Sequence, residues 1–330
     1  MIDTPAMPRD RQSVRTVARS DLQLRAGGLS VTLAPELGGS VTTFRKETRT
    51  GQVDLLRPLS HRAGRNHDVI ETAMFPLVPY ANRIARNRFS FHGHTFHFEP
   101  NTPGEPYALH GSGWRSRWDV ADSAIDAATL TLEHCASAAD PYTYSARQCF
   151  RLTPGGLCCE LGVVNRGTIA MPFGLGLHPF WSLDSDVNLR FSAKGVWLEG
   201  PDHLPTDRIP IPLNLNFSDG RAVPRTWLNN CYCGWDGHAE LVLRKRNIRL
   251  QILADPVFSH LMLYCNPDQS ILCVEPQTHA SGALGGVDRE RAGHCCEAAP
   301  LEPGHALSGI VSFTVFEDGQ QHDGCSKDSR

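Results

Sequence analysis

The most restrictive feature of this chain is the absence of any long segment in which apolar residues recur at helical spacing. Short apolar runs follow one another instead, punctuated by 29 glycines and 23 prolines in 330 residues. Both residue types interrupt regular structure, so the pattern reads as many short strands joined by turns, an all-β protein. Strands are expected over Leu29 to Leu33, Thr129 to Glu133, Tyr144 to Leu152, Leu157 to Asn165, Phe173 to Trp181, Leu241 to Leu253, Leu261 to Cys265, Ile271 to Glu275 and Ile310 to Phe316. Phe89, Phe91, Phe96 and Phe98 alternate with polar residues around His92-Gly93-His94-Thr95, which predicts a hairpin with its aromatic face packed inward.

No Ser/Gly-rich linker divides the chain, and a large β-sandwich can use this many residues as one unit. The expectation is a single catalytic domain over residues 29–317, a partly ordered N-terminal extension over 1–28, and a polar tail over 318–330.

A formal net charge of -3 leaves no basic excess for nucleic acid or an anionic membrane, and a neutral small molecule suits such a chain better. The polar opening segment does not read as a secretory signal, and no apolar run approaches the roughly 20 residues of a membrane span. A cytoplasmic protein is expected. The cysteine count of 11 is odd, and Cys158-Cys159, Cys295-Cys296 and Cys231-x-Cys233 lack the two-residue gap of a zinc knuckle. Reduced, mostly buried thiols are therefore expected.

Four segments carry candidate chemistry. In Phe75 to Ile84, two prolines stiffen a loop that presents Asn82 and Arg83, the latter able to hold a ligand oxygen or simply to sit in solvent. In Leu109 to Trp114, His110 precedes a Gly-Ser-Gly turn and could donate to a ligand or be satisfied by backbone. Within Gly174 to Trp181, a period of two places Gly174, Gly176, His178 and Phe180 on one face. Space beside an imidazole is expected there, with Phe180 or Trp181 as an apolar wall, and tight sheet packing is the alternative. In Ile271 to Thr278, Glu275 shares a row with Ile271 and Cys273, and Pro276 is expected to end the strand as Glu275 emerges. Partial burial would raise its pKa, while an ion pair with an arginine is the structural alternative.

In this order, Asn82-Arg83-Ile84, Leu109-His110-Gly111, Gly176-Leu-His178-Pro179-Phe180 and Val274-Glu275-Pro276-Gln277-Thr278 resemble the successive signatures of the aldose 1-epimerase (galactose mutarotase) family, over about Leu29 to Phe316. The resemblance implies a large antiparallel β-sandwich of the galactose mutarotase-like supersandwich kind, with a free sugar in an open cleft and no cofactor or metal. It implies Glu275 as catalytic base, His178 as catalytic acid, His110 as assisting histidine and Arg83 as a substrate-binding arginine, in a monomer or homodimer. One position departs: Asn229 stands where relatives carry an aspartate that holds sugar hydroxyls, so an amide replaces a charge.

Three other readings compete. A sugar-binding module would keep the cleft without catalysis. A phosphosugar 1-epimerase would need a basic cluster that the motif segments do not display. A metal-dependent β-barrel enzyme built on His92, His94 and His97 would need a converging ligand set, whereas these positions straddle a turn.

Overall fold

The computed structural model describes residues 21–59, 68–183, 187–285 and 298–317. Two antiparallel sheets carry the fold, one of 11 strands and one of 9. Along the larger sheet the order is Leu22–Ala26, Leu29–Ala34, Ser40–Thr48, Met74–Leu77, Gly176–Ser182, Ile271–Gln277, His260–Asn266, Leu228–Cys233, Gly195–Glu199 and Pro205–Ile209, with Gly51–Asp54 beside Ser40–Thr48. The smaller sheet centres on Ala306–Glu317, between Ile248–Ala254 and Gly156–Asn165, with Tyr144–Thr153 beyond the latter.

Alternation along each strand divides its side chains between two faces. In Gly156–Asn165 the residues Leu157, Cys159, Leu161 and Val163 are buried while their neighbours are largely half-exposed. They join Leu177, Trp181, Leu261, Leu263, Leu272 and Val274 of the larger sheet in one continuous apolar core. Each such aliphatic side chain contributes about 1.5–3 kcal/mol on full burial. The central strands Gly176–Ser182 and Ile271–Gln277 are buried on both faces, because a second apolar cluster containing Phe75, Trp114, Phe180 and Cys273 covers the far side of the larger sheet.

Several boundaries differ from the sequence expectation. The sheet begins at Leu22, inside the expected extension, because Leu22–Ala26 pairs with Leu29–Ala34. The run Leu241 to Leu253 is two strands, His238–Leu243 and Ile248–Ala254, folded back by Arg244–Arg246 and by Asn247 at φ 52°, a left-handed conformation that asparagine tolerates. Phe173 to Trp181 is also divided. Met171–Phe173 pairs with Ala299–Leu301, and Gly176–Ser182 enters the larger sheet. Between them the Gly174 N–H donates to the Pro79 carbonyl and the Leu175 N–H to the Thr278 hydroxyl.

The hairpin turn is His92-Gly93 alone, both at positive φ, with Phe89 opposite Phe96; Phe91 is only half-buried. Eight cysteines among the described residues are free, and five of these are buried, as expected of reduced thiols. Cys295, Cys296 and residues 318–330 lie outside the described residues. No described helix is long and apolar enough to cross a membrane.

Candidate active site

Strand register assembles the site. Phe75 pairs with His178, and on the next pair of strands Gly176 faces Gln277 and Phe180 faces Cys273, which puts His178 opposite Glu275. Glu275 in turn pairs with Met262, and Met262 with Cys231. A second row runs Phe180, Cys273, Tyr264 and Asn229. Residues in one cross-strand row share a face, so these two rows form the floor of a single patch on the outer face of the larger sheet. The ladder has a gap around His178 and Glu275, where Pro179 and Pro276 both lack an N–H to donate.

The strand does not end at Glu275. It continues through Pro276, which pairs with Leu261, to Gln277. Gln277 is fully buried, and its amide donates to Glu275 Oε2 at 3.0 Å, which orients the carboxyl group. The other carboxyl oxygen lies 3.4 Å from His178 Nε2. The two glycines do not open the space expected beside the imidazole, and the alternative of tight packing holds at both. A Cβ on Gly174 would fall 2.0 Å from the His279 ring, and one on Gly176 would fall 2.9 Å from Leu77 and the Pro276 carbonyl. Both glycines therefore serve close packing, and Gly174 lies outside the strand.

His178 is held between rings, its centroid 4.7 Å from Phe75 and 4.5 Å from Phe180. Burial in this apolar slot, assisted by the Arg57 guanidinium, pushes its pKa down to about 3. Arg57 sits 4.1 Å over the Phe180 ring and donates to the Ile70 and Thr72 carbonyls. Burial pushes the Glu275 carboxyl the other way, up to about 8, against the opposing influence of Gln277 and Arg83. The two shifts run in opposite directions, so burial favours the neutral form of both groups.

His110 and Asn82 brace one another. Both adopt left-handed backbone, at φ 59° and 63°; the His110 N–H donates to the Asn82 carbonyl, and the Asn82 N–H donates to His110 Nδ1. An accepting Nδ1 places the single proton of a neutral ring on Nε2. Burial, His178 and Arg83 all hold His110 well below the usual histidine range, so it is a neutral hydrogen-bond donor. The turn behind it is tight. Gly111 has φ 70°, and a Cβ there would sit 2.4 Å from both Pro79 and the Val78 carbonyl. Gly111→Ala is expected to destabilise the fold by about 1–3 kcal/mol, read as a lowered midpoint in thermal or urea unfolding.

Arg83 makes a bidentate pair with Glu105, at 2.9 and 2.6 Å, at the mouth of the cleft. Asn229 lines the opposite wall. The cleft is partly open, with a volume of about 210 Å³ lined also by Phe180, Trp114, Tyr264 and Met262, the size of a small ligand rather than a drug-sized one. Trp181 is a correction: strand parity sends it to the inter-sheet core, where it is 1% exposed, so it forms no wall. His92, His94 and His97 lie on the separate hairpin and assemble no ligand set with other described residues. The donors within metal-binding reach of one another are those of His178, Cys273 and Glu275.

Sequence reasoning missed Gln277, Phe75, Arg57 and Glu105. Gln277 had a readable signal, since it stands two residues beyond Glu275 on the same face; the other three depend on chain pairing.

A small cleft on one sheet of a large antiparallel sandwich, floored by a facing carboxyl and imidazole, defines a galactose mutarotase-like β-sandwich protein. Residues 20–314 match the family described as Aldose 1-epimerase, and the chain belongs to that family. It is 30% identical over 306 residues to the uncharacterized Escherichia coli K12 protein YphB, covering 88% of this chain and 97% of that one. A solved Escherichia coli K12 structure, described provisionally as an aldose 1-epimerase, superposes with a TM-score of 0.81 at 27% identity, covering 91% of this chain and 100% of the other. A galactose mutarotase-like protein from Clostridium acetobutylicum shares the fold, with a TM-score of 0.77 at 20% identity over 91% of this chain and 96% of that one.

Proposed function

We propose that this protein is a cofactor-independent aldose 1-epimerase acting on a free, unphosphorylated sugar. The observation that carries the reading is the approach of the Glu275 carboxyl group to His178 Nε2, 3.4 Å apart at the floor of the cleft, close enough for the two to exchange a single proton. Ring opening removes the proton from the anomeric hydroxyl and adds one to the ring oxygen. The C1–O5 bond breaks as the C1–O1 carbonyl forms. A pair with one proton supplies both the acid and the base, and reclosure on the other face of the carbonyl returns each proton. Sugar hydroxyls that hydrogen-bond to the carboxyl group favour its ionised form and send the proton to His178. That is the glutamate base and imidazolium acid implied by the family resemblance. His110, through Nε2–H, steadies a sugar oxygen, and Phe180 offers an apolar wall.

Arg83 already pairs with Glu105, so the charge it offers an anionic substrate is largely answered. That observation favours a neutral sugar over a phosphosugar. Polarimetry of fresh α-glucose and α-galactose tests the proposal. Accelerated relaxation to the equilibrium rotation is the expected result; saturable binding at an uncatalysed rate would make the protein a sugar-binding module instead. The rate is expected to survive exhaustive chelation.

The pH profile of kcat/KM follows from the pair. Above about 8 the pair loses its one proton and the acid is gone; below about 3 both members hold one and the base is gone. A broad plateau between those limits is expected, where ordinary values of about 4.3 and 6.5 would give a narrow bell. A narrow optimum centred between pH 5 and 6 would overturn the shared-proton assignment.

A further inference from the structure

One wall of the cleft is organised by a residue with no role in the chemistry above. Glu199 closes the strand Gly195–Glu199, and its side chain is 17% exposed. Three donors converge on its carboxylate. Asn229 Nδ2 and His203 Nδ1 each lie 2.5 Å from Oε1, and Trp227 Nε1 lies 2.6 Å from Oε2. All three partners line the cleft, whereas Glu199 stands behind them. They come from two different places. Trp227 and Asn229 belong to the start of the strand Leu228–Cys233 and the residue before it, and His203 belongs to the turn after Glu199. His203 adopts φ 62°, an unfavourable backbone for histidine that the turn bond from its N–H to Gly200 and the bond to Glu199 hold in place.

An ionised carboxylate only accepts hydrogen bonds. Facing it, the Asn229 amide must present nitrogen, which leaves Oδ1 as the atom offered to the cleft. The same reasoning makes His203 Nδ1 a donor to Glu199. The wall thus presents the Asn229 oxygen as an acceptor to sugar hydroxyls while its negative charge is held one layer back and shared among three donors.

We propose that Glu199 is the positioning residue for sugar specificity: it fixes Asn229 as an oriented, uncharged acceptor and ties His203 and Trp227 into the same wall. This rests on the sugar-epimerase reading above. A carboxylate cannot simply be restored at position 229, because Asn229→Asp would set two carboxylates in contact. Glu199→Gln would let the amide turn and present hydrogens where the ligand needs an acceptor. Combining the changes restores the contact in reverse, since the new amide at 199 donates to the new carboxylate at 229, which still offers its other oxygen to the cleft, and the second amide hydrogen meets His203 Nδ1 once that ring carries its proton on Nε2 instead.

The test measures KM and kcat by polarimetry, and affinity for glucose and galactose by calorimetry, on the full chain and the three variants. Each single substitution is expected to raise KM and Kd about tenfold or more, with kcat changed far less. The double variant is expected to recover most of that loss. Unchanged affinity in both single variants, or a double variant weakened by the product of the two single effects, would overturn the role of Glu199. Trp227→Phe removes one donor without altering charge and is expected to give a smaller loss of affinity; thermal midpoints close to that of the parent show that folding is intact. Calorimetry reads the pair whether or not rotation is accelerated. A sugar bound without turnover defeats the epimerase reading alone, and no sugar bound by the parent protein defeats both.

Discussion

Glu275→Gln is expected to lower turnover by about 10²–10⁴-fold while raising the stability of the fold at neutral and alkaline pH. Both effects come from burying a carboxyl group that is 2% exposed. The group binds its proton more tightly in the folded chain, with a pKa of about 8, than in the unfolded chain, where the ordinary carboxylate value applies. Below the unfolded value both states are protonated and the stabilising contribution of the bound proton is fully present. As pH rises through the window up to about 8 the unfolded state ionises first, and that contribution is lost. A neutral amide of the same shape escapes the loss, which is on the order of a few kcal/mol. Thermal midpoints of parent and variant should therefore differ little near pH 4 and diverge in favour of the variant near pH 9, while polarimetry shows the rate collapse. Near-parental turnover would remove Glu275 from the chemistry. A variant less stable at pH 9 would contradict the raised proton affinity of the buried carboxyl group.

His178→Asn is expected to depress turnover over the same range of about 10²–10⁴-fold, and the double variant with Glu275→Gln to be scarcely slower than either single one. Groups that exchange one proton act as a unit, so losing either disables both. The sign of the stability effect is opposite on the pH axis. The His178 pKa is depressed to about 3, so the folded state keeps the ring neutral while the unfolded chain protonates. Stability associated with His178 is present above the ordinary histidine value and is lost as pH falls toward 3. The variant should resist acid better than the parent. Strictly multiplicative losses in the double variant would show two independent groups rather than a shared proton.

Much of the architecture is legible in the amino-acid order. Alternation in Leu157 to Asn165 reflects a sheet with distinct faces, and this depends only on the two-residue period of extended backbone. The motifs around His110, His178 and Glu275 likewise stand out locally. Boundaries were less accessible. Asn247 turns back what reads as one strand, and Pro276 sits within a strand it was expected to end, because neighbouring chains decide which N–H groups are needed. Trp181 and Phe180 look alike as candidate walls, yet the one-residue difference sends them to opposite faces: the period of two keeps Phe180 with His178, and the packing of the other sheet buries Trp181 in the inter-sheet core.

By itself, then, the sequence determined the strand-rich class, the family and the residues able to move protons, since these are written in composition, period and short motifs. Tertiary structure alone decided that His178 meets Glu275, that Gln277 orients the carboxyl group and that Glu199 stands behind Asn229. The reason is physical: register joins residues about a hundred positions apart, and the removal of water around them, which no local pattern records, shifts their proton affinities in opposite directions.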